Sequence, residues 1–114
     1  MNTSKPVVYI YYNSLGEKFL NEILAGIEEE GVLFEAKKSL VADSLCTAEN
    51  LSYEAALDSI LETGIGIDGQ HVCITCSKLS KHEPLQSFTL IERANLRLAG
   101  SNAARLVKGI PLKY

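Results

Sequence analysis

Ile65-Gly66-Ile67-Asp68-Gly69-Gln70-His71-Val72-Cys73-Ile74-Thr75 is the stretch that decides the fold. Two β-forming runs flank Asp68-Gly69, a dipeptide suited to a two-residue type I′ turn, so the spacing predicts an antiparallel hairpin. Working back toward the N-terminus, residues 7–12 form a continuous apolar, β-branched and aromatic run, the pattern of a strand buried on both faces. Asn13-Ser14-Leu15-Gly16 reads as a turn. Phe19, Leu20, Ile23, Leu24 and Ile27 then recur at helical spacing, predicting a helix over about 17–30 closed by Gly31. Residues 32–37 read as a second strand and 39–50 as irregular chain. A second helix is expected with Ser52 as its cap, Tyr53, Ala56, Leu57, Ile60 and Leu61 on its apolar face, and Gly64 at its end. Beyond the hairpin come a loop over 77–86 and a strand over 87–91. A closing helix carries Leu96, Ala99, Ala103, Leu106, Val107 and Ile110, with a break expected at Gly100-Ser101. The order β-α-β-α-β-β-β-α predicts an α/β fold, a three-layer α/β/α sandwich around a five-stranded mixed sheet with one antiparallel strand, because alternating elements favour parallel crossovers.

With 114 residues, of which 46% are apolar and 22% charged, the chain is expected to be one domain, residues 1–114, with a real core. A net charge of −3 gives no electrostatic reason to bind nucleic acid or an anionic membrane. The apolar run near the N-terminus is too short for a signal core or a membrane span, so a cytoplasmic protein is expected. Three cysteines, Cys46, Cys73 and Cys76, argue against a disulfide framework.

Few residues suggest chemistry. Cys73 and Cys76 have CxxC spacing, yet on a strand residues three apart point to opposite faces, which argues against redox or zinc chemistry. His71 and His82 lack a nearby nucleophile turn. Gly64-Ile65-Gly66-Ile67-Asp68-Gly69 is glycine-rich, but it runs from a helix into a hairpin and not from a strand into a helix, so it is no dinucleotide loop. Glu28-Glu29-Glu30 closes the first helix, where carboxylates oppose the macrodipole. Glu29 shares a face with Glu22, Ala25 and Gly26, and small residues beside a carboxylate would admit a partner closely. A solvated helix end explains the same charges. Asn102 suits a helix cap, and Arg105 with Lys108 suits the closing helix's own dipole. Residue chemistry alone therefore reaches a soluble α/β domain with no self-contained active site.

The segment Asn102-Ala103-Ala104-Arg105-Leu106-Val107-Lys108-Gly109-Ile110-Pro111 closely resembles the C-terminus of the small subunit of diol/glycerol dehydratase reactivating factors. Tyr12-Asn13 followed by Gly16, Asn21-Glu22-Ile23-Leu24, Gly26 through Val32, Gly64-Ile65-Gly66 and the stretch from Lys78-Leu79 to Pro84-Leu85 extend the likeness over nearly the whole chain. The resemblance implies a non-catalytic subunit paired with a large, chaperone-like ATPase subunit, commonly as a heterotetramer. Such factors release damaged cobalamin from adenosylcobalamin-dependent dehydratases by subunit exchange. The family fold is a three-layer sandwich like that of the dehydratase's own medium subunit and of anticodon-binding domains. Glu29 aligns with a glutamate that reaches a magnesium or calcium site on the large subunit; no cofactor is implied for this chain alone, and cobalamin belongs to the target enzyme. No nucleic acid or membrane is implied as a partner, and a bacterial microcompartment is an implied setting. Two rival readings are a medium subunit of the dehydratase itself and a free-standing ligand- or RNA-binding module.

Overall fold

The computed structural model describes residues 5–40, 47–79 and 83–113. Strand β1 (Val8–Tyr12) leads through a 3-10 turn (Glu17–Phe19) into helix α1 (Leu20–Glu29). Strand β2 (Phe34–Lys38), helix α2 (Ala48–Asp58), strands β3 (Thr63–Ile67), β4 (His71–Cys76) and β5 (Gln86–Thr89), and helix α3 (Arg93–Lys108) follow. The sheet order is β2-β1-β3-β4-β5. β1 runs parallel to β2 and β3, while β4 is antiparallel to both of its neighbours. The expected mixed sheet with one antiparallel strand is therefore the observed one, with α1 and α3 on one face and α2 on the other.

Strand alternation divides the core. Val8, Ile10, Ile65, Ile67, Val72 and Ile74 meet Ile23, Ile27, Leu96, Ala99 and Ala103 in the main cluster under α1 and α3. Tyr9 packs toward α2 with Val7, Ala55 and Tyr11. β3 shows why glycine alternates with isoleucine there. A Cβ on Gly64 would lie 2.3 Å from the Ala56 nitrogen, and one on Gly66 would lie 2.2 Å from the Ala48 carbonyl oxygen. The α2 backbone rests directly on those two glycines, and the isoleucines fill the other face.

This seating corrects the expectations for α2. Gly64 lies inside β3 and does not end the helix, which closes at Asp58. The cap is Thr47, whose Oγ1 accepts from the Asn50 amide at 3.1 Å. Ser52 is fully buried inside the helix, hydrogen-bonded to the Glu49 carbonyl and to the Thr75 hydroxyl at 2.7 Å. The inward stripe is Ala48, Leu51, Ser52, Ala55 and Ala56, whereas Leu57 and Ile60 are exposed. Where α2 rests on the β3 glycines its buried residues are small, Ala48, Ser52, Ala55 and Ala56, with Leu51 the one larger side chain.

The hairpin is present, but its turn differs from the expected one. Asp68 and His71 pair as Asp68 N–H to the His71 carbonyl, leaving Gly69 and Gln70 as the central residues. Neither has a positive φ, so the turn is not type I′. Asp68 organises it: Oδ1 accepts from the Gln70 and His71 amides at 2.7 Å each, and Oδ2 accepts from the Ala48 amide at 2.9 Å. Asn13 does the same work before α1, its buried Oδ1 accepting from the Gly16 amide at 2.9 Å. Cys73 and Cys76 are both buried free thiols, and the Cys73 thiol is raised by burial, with a 3.4 Å contact to the Ser87 hydroxyl. Cys46 and His82 lie outside the described residues.

Candidate partner-docking face

α1 and α3 touch backbone to backbone. A Cβ on Gly26 would lie 2.2 Å from the Arg97 carbonyl oxygen, and one on Gly100 would lie 2.0 Å from the Ile23 carbonyl oxygen. Gly26 is therefore a buried seat for α3 and not an opening for a partner, which corrects its assignment to a docking face. α3 itself runs unbroken through Gly100-Ser101, because the glycine is a crossing point and not a hinge.

The crossing sets the charges of α3 against the carboxylates of α1. Arg97, Ser101, Arg105 and Lys108 follow at i, i+4, i+8 and i+11, one face of a helix. Arg97 bridges two glutamates, with Nε 3.2 Å from Glu22 and Nη1 2.6 Å from Glu29. Glu30, only 10% exposed, takes the rest: Ser101 Oγ at 2.7 Å, Arg105 Nε at 3.0 Å, Lys108 Nζ at 3.2 Å and Lys113 Nζ at 3.7 Å. Lys108 also donates to the Glu30 carbonyl at 2.8 Å, satisfying a helix-end acceptor. The Ser101 hydroxyl, with Lys108 and Arg105, holds the Glu30 carboxyl down to about 2, against a burial effect that would raise it. The carboxylates that oppose the α1 dipole are thus compensated within the chain. Arg105 and Lys108 reach across to α1, beyond a role at their own helix end.

A depressed carboxyl stabilises the fold above its unfolded value near 4.5 and ceases to do so as the pH falls through about 2. Glu30→Gln is therefore expected to lower the melting temperature at pH 6. The gap to the unsubstituted protein should narrow as pH falls from about 5 and close near 2; calorimetry across that range checks it.

Residues 109–113 are held by the same helix. Gly109, with φ 71°, stops α3; its amide bonds to the Leu106 carbonyl and the Ile110 amide to the Arg105 carbonyl, a Schellman pair. Arg105 Nη1 reaches the Pro111 carbonyl at 3.0 Å. Asn102 is not a cap but a fully buried mid-helix clamp. Its Nδ2 donates to Gln86 Oε1 at 3.0 Å and to the Lys113 carbonyl at 2.9 Å, and its Oδ1 accepts from the Lys113 amide at 2.7 Å.

On the outer flank of α1 stand Glu22, half-buried Ala25 and Glu29. The Glu29 side chain is 45% exposed, and its recorded partner is Arg97. Among the described residues no group of three or more His, Cys, Asp or Glu could hold a metal. The Glu29 carboxylate is a hard oxygen donor of the kind divalent cations take, and here it is held by Arg97. Two glutamates and the buried clamp around Glu30 and Asn102 are thus the site's parts. Arg97 and the roles of Glu30 and Asn102 are not legible in the sequence reading, although the spacing of Arg97, Ser101, Arg105 and Lys108 is a signal for the face that meets Glu30.

The molecule is a small α/β sandwich with a closely packed helix pair and a charged outer flank. The chain belongs to the dehydratase medium-subunit family, whose model matches residues 5–113. Its place within that family is with the small subunits of diol and glycerol dehydratase-reactivating factors. It is 35% identical to the propanediol dehydratase-reactivating factor small subunit of Salmonella typhimurium, over 98% of this chain and 94% of the relative. It is 34% identical to the diol dehydratase-reactivating factor small subunit of Klebsiella michiganensis, over 98% of this chain and 87% of the relative. A solved diol dehydratase-reactivating factor complexed with ADP and Mg2+ superposes with a TM-score of 0.86 at 30% identity, covering 97% of this chain and all of that one. A glycerol dehydratase reactivase gives 0.84 at 30% identity, over 96% and 98%. Among the described residues no helix is long and apolar enough to cross a membrane.

Proposed function

We propose that this chain is the non-catalytic small subunit of an ATP-dependent reactivating factor for an adenosylcobalamin-dependent diol or glycerol dehydratase. It docks on a larger ATPase subunit, leaves it, and so lets a dehydratase subunit exchange into its place while damaged cobalamin departs. Full-length likeness to reactivating-factor small subunits, in both sequence and fold, carries this reading. The α1 flank of Glu22, Ala25 and Glu29 is the docking face. Glu29 supplies one carboxylate oxygen to a magnesium or calcium ion held mainly by the large subunit, and Arg97 holds that carboxylate in its extended position until docking. The presence of Mg2+ in the related reactivating factor supports a metal in such a complex. The molecule works in the cytoplasm, with a bacterial microcompartment as its setting.

Co-purification of this chain with its cognate large subunit tests the reading, and failure to associate under every nucleotide condition would remove it. Glu29→Ala is expected to weaken the complex about tenfold and to lower its bound metal. Unchanged affinity and metal content would take Glu29 out of the site. The description of the matching family model as a dehydratase medium subunit favours one second reading, a subunit of the dehydratase itself. Cobalamin bound to a complex of this chain with a dehydratase large subunit would establish it.

A further inference from the structure

The α1 flank is too small and too charged to be a whole interface. A stable complex covers about 800 Å² on each partner, with a charge-poor, apolar centre inside a polar rim. Glu22, Ala25 and Glu29 have the composition of a rim. An apolar centre beside them would complete the interface, and a concavity among the described residues shares Glu22.

That concavity is a groove of about 440 Å³ between the start of α1 and the β5–α3 connection. Its apolar surface comes from Phe19, Leu90, Ile91 and Leu96, and it continues past Phe19, Leu90 and Ile91 to Gly69 at the hairpin turn. Ile91 is 88% exposed at the lip, a β-branched side chain left open among the described residues. Lys18 and Arg93 stand at the same groove, and neither has an ion-pair partner among the described residues. Lys18 lies 5.3 Å from the Phe19 ring centroid, so its charge sits directly over the apolar surface. With Glu22 of the same lining paired to Arg97, these two cations leave the groove net positive on a chain of net charge −3. The exposed Leu57 lies on α2, across the sheet, and cannot be continuous with the Glu22 flank.

We propose that the large-subunit interface runs from Glu29 and Glu22 into the Phe19–Ile91 groove, which receives an apolar side chain of the large subunit flanked by carboxylates facing Lys18 and Arg93. This rests on the reading of the α1 flank as the docking face. The groove supplies the apolar centre, Lys18 and Arg93 steer the approach, and Glu29 forms the far edge.

Binding of the purified large subunit, with nucleotide and Mg2+ present, tests this with four variants: Ile91→Glu, the double charge reversal Lys18→Glu/Arg93→Glu, Glu29→Ala and Leu57→Glu. Ile91 is exposed, so its substitution should leave the circular dichroism and melting temperature nearly unchanged. The expected result is an affinity at least about tenfold lower for Ile91→Glu. The charge reversal should slow association, most at low salt, and Leu57→Glu should bind like the unsubstituted chain. Normal binding by Ile91→Glu and by the charge reversal, with Glu29→Ala weakened, would overturn the groove while leaving the α1 flank in place. Equal losses from Ile91→Glu and Leu57→Glu would overturn it too, as would an Ile91→Glu chain that loses self-association but still binds the large subunit. Failure of the unsubstituted chain to bind would remove the docking reading and the groove together.

Discussion

Gly100→Ala is expected to destabilise the fold by about 3 kcal/mol, the upper range for forcing a methyl group into a packed contact. The new Cβ would stand 2.0 Å from the Ile23 carbonyl oxygen and 3.1 Å from the Ile27 nitrogen. Both obstacles are backbone, so no rotamer change relieves the clash and α1 must move from α3. That movement strips packing from Ile23, Ile27, Ala99 and Ala103, which are all fully buried. It also pulls Arg97 away from Glu22 and Glu29. Helix propensity argues the other way, since alanine is favoured over glycine by about 1 kcal/mol in a helix interior. The sign of the measured change therefore decides between a crossing point and an ordinary helical glycine. Urea unfolding should show a lower midpoint with the slope retained; a higher midpoint would mean the helices do not touch there.

Asn102→Ala is expected to cost about 2 kcal/mol, the consequence of leaving buried hydrogen-bonding groups unmatched. The substitution removes the bonds to Gln86 and to both backbone groups of Lys113. Part of the loss is recovered, because a released C-terminal strap can bond to water. The local effect should be larger than the global one. Hydrogen exchange at the Lys113 amide should become fast in the variant under conditions where the α3 interior stays protected. If that amide exchanges at the same rate in both proteins, Asn102 does not hold the strap. A cap residue would give a different pattern, with fraying confined to the turn that follows it. Asn102→Asp should not rescue, since it keeps the acceptor, loses the donor and places a charge in a fully buried position.

Much of the fold was legible because its signals are local. A continuous β-branched and aromatic run marks β1, a period of 3.6 marks α1, β-forming runs around Asp68-Gly69 mark the hairpin, and turn residues mark the boundaries between them. Gly31 and Gly109 end helices, as their positive φ of 75° and 71° requires. The errors share a cause. Local patterns assign Ser52, Gly64, Gly100 and Asn102 their usual roles as cap, stop, break and cap. Each instead meets an element distant in sequence: Ser52 meets Thr75, Gly64 meets α2, Gly100 meets Ile23, and Asn102 meets Gln86 and Lys113. Small and polar residues are ambiguous in this way, because they serve equally well to end an element and to let another element approach.

The candidate site divides along the same line. Glu29 and the C-terminal motif stand out in the sequence, the motif by its resemblance and the carboxylates by their unfavourable place at a helix end. Their meaning does not. Arg105 and Lys108 look like partners for their own helix dipole until the crossing at Gly26 and Gly100 places them over Glu30. Glu30 is then consumed by four groups of its own chain, while Glu29, one residue earlier, turns outward with Arg97 as its recorded partner.

By itself the sequence determined the order of the elements, the single antiparallel strand and the family, since periodicity, turn chemistry and a specific motif reside in neighbouring residues. Only the tertiary structure decided which glutamate is held inside and which faces outward. That choice depends on pairings 68 to 78 residues apart along the chain, set by where two glycines let two helices meet.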